Sequence, residues 1–170
     1  MRASLSFRRA FATTAALAAV SFATPALAQD LGIEVGSTAP SVIVHTLDGK
    51  QVDLGQYIGK KPMLIEFWAT WCGNCRELMP VLLEAEKKYG KSVKFLALAV
   101  AINQSPERVR RFIAAHPVPH ETLYDTDGKA AGAFDAPATS YVVVLDKTGK
   151  VVYTGLGGKQ DLEAALKKIQ

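Results

Sequence analysis

Glu66-Phe67-Trp68-Ala69-Thr70-Trp71-Cys72-Gly73-Asn74-Cys75-Arg76 is the stretch on which the reading of this chain turns. Its first residues finish a near-continuous apolar run, Met63-Leu64-Ile65-Glu66-Phe67-Trp68, which suits a strand buried on both faces of a covered sheet. Beyond it, Leu78, Leu82, Ala85 and Tyr89 recur at helical spacing until Gly90 ends the pattern. A C-x-x-C pair therefore stands where a buried strand hands over to a helix. There, unpartnered N–H groups and the positive end of the helix dipole stabilise a thiolate over a thiol. The position suits Cys72, at the exposed edge, to attack a disulfide. Cys75, inside the first turn, is placed to resolve the adduct.

Other uses of two cysteines fit less well. A structural clip closing so small a ring contributes only about 2 kcal/mol by loop entropy. A zinc site needs four ligands, and His45, His116 and His120 have no knuckle spacing to the cysteine pair. A c-type haem attachment needs histidine directly after the second cysteine, where Arg76 stands. A peroxidatic cysteine follows threonine by three residues, and Thr70 is two before Cys72. Asp125-Thr126-Asp127-Gly128 starts like a calcium loop but lacks the third oxygen ligand and the distal glutamate, so it reads as a turn before a helix. His116 and His120 read as helix-end and loop residues, and Arg108, Arg110 and Arg111 as a solvated helix face. No metal and no cofactor beyond the cysteine pair itself is expected.

Working outward, Leu31 to Pro40 is a polar, glycine-bearing lead-in. Val42-Ile43-Val44 and Gln51 to Leu54, joined through Leu47-Asp48-Gly49-Lys50, predict a small hairpin. Val93 to Ala101 is a second buried strand, and Ser105-Pro106 opens a helix carrying Val109, Phe112, Ile113 and His116 until Pro117. Ala136-Pro137 leads into a strand over Tyr141 to Leu145, a turn over Asp146 to Gly149, and a partner strand Val151-Val152-Tyr153. Leu162, Ala165, Leu166 and Ile169 make one stripe of a closing helix. Strand, helix, strand, helix, hairpin, helix is an α/β order, with no repeat or second domain in it.

The first residues read as an export signal. Arg2, Arg8 and Arg9 form a basic leader, Ala10 to Phe22 is apolar, and Ala26-Leu27-Ala28 has the small-x-small form of a cleavage site. The apolar run is too short and alanine-rich for a convincing span. Residues 1–28 are thus expected to be a signal peptide and 29–170 a single domain, periplasmic or secreted after cleavage following Ala28. Removing three arginines and no acid lowers the net charge from +4 to +1, so the basic balance belongs to the leader and gives no reason to expect nucleic acid as partner. An exported chain also meets conditions in which disulfides form and persist.

Residues 34–170 resemble the exported thioredoxin-like thiol–disulfide oxidoreductases of the TlpA/ResA type. Phe67-Trp68-Ala69-Thr70-Trp71-Cys72-Gly73-Asn74-Cys75-Arg76 carries most of the likeness, with Pro80, Val35-Gly36-Ser37-Thr38-Ala39-Pro40 and Gly59-Lys60-Lys61-Pro62 in support. The resemblance implies a thioredoxin-like fold, a central mixed sheet flanked by helices, with a short N-terminal hairpin extension. It implies reduction of disulfides in client proteins by a monomer supplied by an upstream membrane electron donor, with clients in cytochrome c or copper-site assembly. Glu66 matches a buried acid that exchanges protons with the resolving cysteine. Trp71, Gly73, Asn74, Ala136 and Pro137 match the client-facing surface, Ala136-Pro137 at the place of a cis-proline turn that pairs with a substrate segment.

Two departures bear on these expectations. The stretch from Pro137 to the Asp146 turn is longer than the family shows, so extra residues or a bulge must be absorbed. Leu78 stands where several members keep an acid three residues after the second cysteine. With no cation in Gly73-Asn74, a strongly oxidising enzyme is not expected. Two further readings stay open: a metallochaperone holding Cu(I) between the thiolates, and a non-enzymatic thioredoxin-like binding domain with a fixed clip.

Overall fold

In the computed structural model of the protein, residues 32–169 are described; the expected signal peptide, its cleavage site after Ala28 and Gln29 lie outside them. The chain runs β1 (Ile43–Thr46), β2 (Gln51–Asp53), a 3-10 turn (Leu54–Gln56), β3 (Met63–Trp68), α1 (Gly73–Tyr89), β4 (Lys94–Val100), α2 (Pro106–Ala115), β5 (Glu121–Asp125), α3 (Lys129–Ala133), β6 (Tyr141–Leu145), β7 (Val151–Leu156) and α4 (Leu162–Lys167). All seven strands form one sheet in the order β2-β1-β5-β4-β3-β6-β7. β3, β4 and β5 run parallel, while β6 and β7 on one flank and β1 and β2 on the other are antiparallel. This is the mixed, helix-flanked α/β sheet expected from the sequence.

β3 lies inside the sheet between β4 and β6, and all six of its residues are buried. That is why it reads as a continuous apolar run rather than an alternating one. Alternation still sorts its side chains between the two faces. Leu64 packs with Leu78, Leu82 and Ala85 of α1 and Leu162 and Leu166 of α4. On the other side Phe67 meets Phe134 and Tyr141 at ring-centre distances of 5.6 and 5.9 Å. The lead-in is tied to this second face, because the Ile33 N–H donates to the Phe134 carbonyl at 3.1 Å and to the Tyr141 hydroxyl at 3.0 Å.

Gly90 closes α1, as expected, without a left-handed backbone. Its φ is −59°, but a Cβ there would lie 2.6 Å from the Glu86 carbonyl oxygen.

One element, β5, escapes the sequence reading, while α3 is the helix expected after the Asp125–Gly128 turn. β5 carries charge at both ends and buries only Leu123, Tyr124 and Asp125. It has neither the long apolar run of a central strand nor clean alternation, yet it fills the place between β4 and β1. α3 is one and a half turns long, and its start is held by Asp125. This buried carboxylate accepts from the Ala130 and Ala131 N–H groups at 3.0 and 2.8 Å. The aspartate that begins the calcium-like stretch is therefore a helix cap.

The extra length after Pro137 is absorbed before β6, by Ala138, Thr139 and Ser140. Ser140 takes a φ of +63°, and its N–H donates to the Phe67 carbonyl at 2.8 Å. The register shift on this flank lies at Val144/Leu145 in the pairing with β7, where Val152 is the additional residue.

Because both oxygens of Asp125 are engaged by backbone donors in a buried place, Asp125→Ala should leave two N–H groups without partners. The expected loss is about 2–3 kcal/mol of folding free energy. Urea unfolding followed by circular dichroism measures it, and a loss within error would deny the cap that role.

Candidate active site

β3 ends at Trp68, and four residues later Cys72 is the N-cap of α1. An N-cap residue is extended and offers an acceptor to the first turn. Cys72 has φ −76° and ψ 114°, and its sulfur accepts the Cys75 N–H at 3.0 Å. The two cysteines are joined in a disulfide with a Cα–Cα distance of 5.3 Å. Cys72 does not lie at an exposed edge in this oxidised form. It is 5 % exposed and Cys75 3 %, because the sulfur of Cys72 turns inward over the first helical turn. The surface around them consists of the exposed Gly73 and Asn74 and of Trp71, which is 39 % exposed.

The loop ahead of the pair is held from outside. The Thr70 N–H donates to Gln104 Oε1 at 2.9 Å, its hydroxyl accepts from Arg108 Nε at 3.0 Å, and its carbonyl accepts from Arg76 at 3.3 Å. Trp71 Nε1 donates to the Ile102 carbonyl at 2.8 Å. Arg108, Arg110 and Arg111 stay exposed, as expected of a solvated helix face, while Arg108 reaches Thr70 and Arg110 donates to the Leu47 carbonyl and to Asp48. Gln104, Ile102 and Arg108 were not legible as site residues. They lie on another crossover, and only the Ser105-Pro106 helix start next to them marks the place. The exposed Ile102 beside Trp71 gives the surface next to Cys72 an apolar patch.

Behind the pair is Glu66. It is 6 % exposed, and burial pushes its carboxyl up from an ordinary 4.5 to about 8. With Cys75 it lines one cavity, whose wall also includes Trp68, Met79, Ala97, Phe112, His116, His120 and Thr122. Trp68 is packing, as expected, with its ring 5.4 Å from that of Phe112. His116 stacks on Phe112 at the end of α2, while His120 is more than a loop residue. Its side chain is 6 % exposed, and its Nδ1 is 2.7 Å from Glu86 Oε2.

The Ala136-Pro137 reading needs correction. Every peptide bond among the described residues is trans, so Pro137 is not the cis proline that the resemblance implied. Its chain segment closes α3, the Ala136 N–H donating to the Ala131 carbonyl at 2.8 Å. The residue hydrogen-bonded to the end of β3, from which the C-x-x-C loop departs, is Ser140. Ala136 does pack on the apolar cluster that contains both cysteines.

A family model described as Redoxin matches residues 34–169, from the lead-in to the last helix. The chain belongs to the Redoxin family. Within it, the chain is 34 % identical over 140 residues to the thiol-disulfide oxidoreductase ResA of Bacillus cereus, covering 81 % of this chain and 79 % of that one. A thioredoxin-like protein of Bacillus subtilis, YneN, is 31 % identical over 143 residues, covering 81 % and 82 %. Among solved structures, the thioredoxin domain of a thiol-disulfide oxidoreductase from Bacteroides vulgatus superposes with a TM-score of 0.69. It is 20 % identical and covers 81 % of this chain and 99 % of that one, a likeness of fold. This Redoxin chain is of the ResA/TlpA-like kind and is a thiol–disulfide oxidoreductase.

The raised carboxyl of Glu66 has a measurable consequence for stability. Between about pH 4.5 and pH 8 the folded protein holds a proton there that the unfolded chain has released. The stability associated with that proton is fully present below about pH 4.5 and is lost as pH rises through 8. Glu66→Gln should abolish this decline. Urea unfolding of the oxidised protein should show the variant gaining on the parent from pH 5 to pH 9, with a ceiling of about 5 kcal/mol. A constant difference across that range would mean that Glu66 is ionised in the fold like a surface acid.

Proposed function

We propose that this Redoxin protein is exported and reduces disulfides in client proteins, using Cys72 as nucleophile, Cys75 as resolving thiol and Glu66 as proton acceptor. The observation that carries the reading is the arrangement at the start of α1: the Cys72 sulfur in the cap position and a buried carboxyl sharing a cavity with Cys75.

In the reduced enzyme the Cys72 thiolate attacks one sulfur of a client disulfide. A mixed disulfide forms, and the departing client thiolate takes a proton. Cys75 then gives its proton to Glu66, and its thiolate attacks the Cys72 sulfur. The Cys72–Cys75 bond forms, the second client sulfur leaves, and two electrons have passed from enzyme to client. The Cys72 sulfur takes the cap position at the start of the 17-residue α1 and accepts the N–H of Cys75, an arrangement that suits a nucleophile. It supports the reading of Cys72 as attacker and Cys75 as resolver.

Trp71, Gly73 and Asn74, with the neighbouring Ile102, offer the client an apolar and open surface. A client segment passing ahead of β6 meets the exposed Pro137 and Ala138, beside the half-buried Ala136, since Ser140 is buried. The clients proposed are cysteine-bearing proteins that must be reduced before haem or copper is inserted, and the electrons come from a membrane donor.

The division of labour is tested by trapping. Cys75→Ser should accumulate mixed disulfides with clients, visible as slower bands on non-reducing gels that vanish with reductant, and Cys72→Ser should accumulate none. Equal trapping by both variants would refute the assignment. Export is tested separately: protein recovered from its native host should begin at Gln29, and a cytosolic form that retains Met1 would contradict the leader.

A further inference from the structure

Three buried side-chain polar atoms have no hydrogen-bond partner among the described residues: Glu66 Oε1, Trp68 Nε1 and Thr122 Oγ1. All three residues line the cavity beside Cys75. Leaving such groups unpartnered is costly, and a shared location points to a shared ligand rather than to three separate faults.

The sheet register explains how they come together. Glu66 pairs with Ala97 and Ala97 with Thr122, so the three side chains project from one face in a row across β3, β4 and β5. Two strand spacings put Glu66 and Thr122 about 10 Å apart, too far to bond directly. Between them stands Ala97, whose methyl group leaves the middle of the row unfilled. The resulting cavity has about 20 Å³ open to the centre of a water-sized sphere, enough for one water, which needs two to four polar partners. His120 is two residues from Thr122 and also lines the cavity. Its Nδ1 lies 2.7 Å from Glu86 Oε2, on α1, which leaves Nε2 as the ring nitrogen free to face a ligand in the cavity.

We propose that this cavity is an ordered water site, and that it joins Glu66 through His120 to Glu86 as the path by which the Cys75 proton leaves the interior. The inference rests on the reading of Glu66 as proton acceptor and extends it to two residues on other elements. The path answers a need of the reaction. Resolution buries a proton on Glu66, whereas the client thiolates that need protons leave at the surface. One proton moves from the Cys75 sulfur to the Glu66 carboxylate, then through the water to His120 Nε2, while the Nδ1 proton passes to Glu86. Nothing is oxidised or reduced in this transfer. Glu86 has a side chain 14 % exposed, so the path ends at solvent. The titratable groups facing the cavity are Glu66 from β3, Cys75 from α1, His116 from the end of α2 and His120 ahead of β5, with Glu86 one hydrogen bond beyond.

The test follows closure of the Cys72–Cys75 disulfide by tryptophan fluorescence after the reduced protein meets oxidised glutathione, from pH 6 to pH 9. His120→Ala and Glu66→Gln should each slow closure about tenfold near neutrality, and the double variant should be no slower than the slower single. Added imidazole should restore the rate of His120→Ala and leave Glu66→Gln unchanged. Glu86→Gln, which keeps the ring in place, should slow closure about threefold and shift the pH profile, and it serves if His120→Ala folds poorly. Closure at the parent rate in both His120→Ala and Glu86→Gln, with Glu66→Gln slow, overturns the path and leaves the Glu66 reading standing. Slowing that imidazole does not relieve in His120→Ala also overturns it, since the ring then only supports packing. Closure at the parent rate in Glu66→Gln overturns both.

Discussion

A helix that starts against a buried sheet must find acceptors for the N–H groups of its first turn, and here the sulfur of a reacting cysteine supplies one. The rest of the site is arranged around that bond. It requires Cys72 to be extended and α1 to begin at Gly73, and it requires the four-residue loop from Trp68 to have one shape. Gln104, Arg108 and Arg76 hold that shape by occupying all three polar groups of Thr70. A loop fixed in this way presents the same sulfur geometry to every client, whereas a free one would have to be ordered at each encounter. The cap also becomes stronger when Cys72 ionises, since a bond to a charged acceptor exceeds one to a neutral acceptor.

Glu66 imposes the opposite kind of constraint. A carboxyl in the middle of a six-residue buried strand works against the fold whenever it is charged, and its largely apolar surroundings are relieved at a few positions only. Ala97 withholds volume, while Thr122 and Trp68 supply polar atoms. The opposite side of the same strand shows what the sheet does without such a requirement: Phe67, Phe134 and Tyr141 fill it with rings. One strand thus turns its odd-numbered residues to dense packing and Glu66 to a cavity.

Most of the fold could be read from local patterns. β3, α1, β4, α2, β6 and α4 each carry a long apolar run or a helical stripe, because each is buried on both faces or along one side. β5 could not be read in this way. It is short and charged at its ends, and it owes its place to β4 and β1 rather than to its own residues. At the site, Cys72, Cys75 and Glu66 stood out because they are chemically unusual for their surroundings. His120, Glu86, Thr122 and Gln104 did not, since each has an ordinary character and gains a role only when distant segments meet. Pro137 misled for a related reason: Ala-Pro before a strand has the family's form, yet three more residues intervene and Ser140 takes the position against β3.

The tie between the lead-in and the sheet has a mechanical side. Ile33 is bonded to the Phe134 carbonyl and the Tyr141 hydroxyl, and the ring of Tyr141 fills the space where any side chain at Gly32 would lie. A pull on the amino end is therefore taken up by β6 and the aromatic face of the sheet. Between β6 and the loop of the sulfur pair stands β3, paired with β4 on one side and β6 on the other. A molecule tethered by that end, whether to a surface or to another domain, would bear the load on its back and keep its reacting end slack.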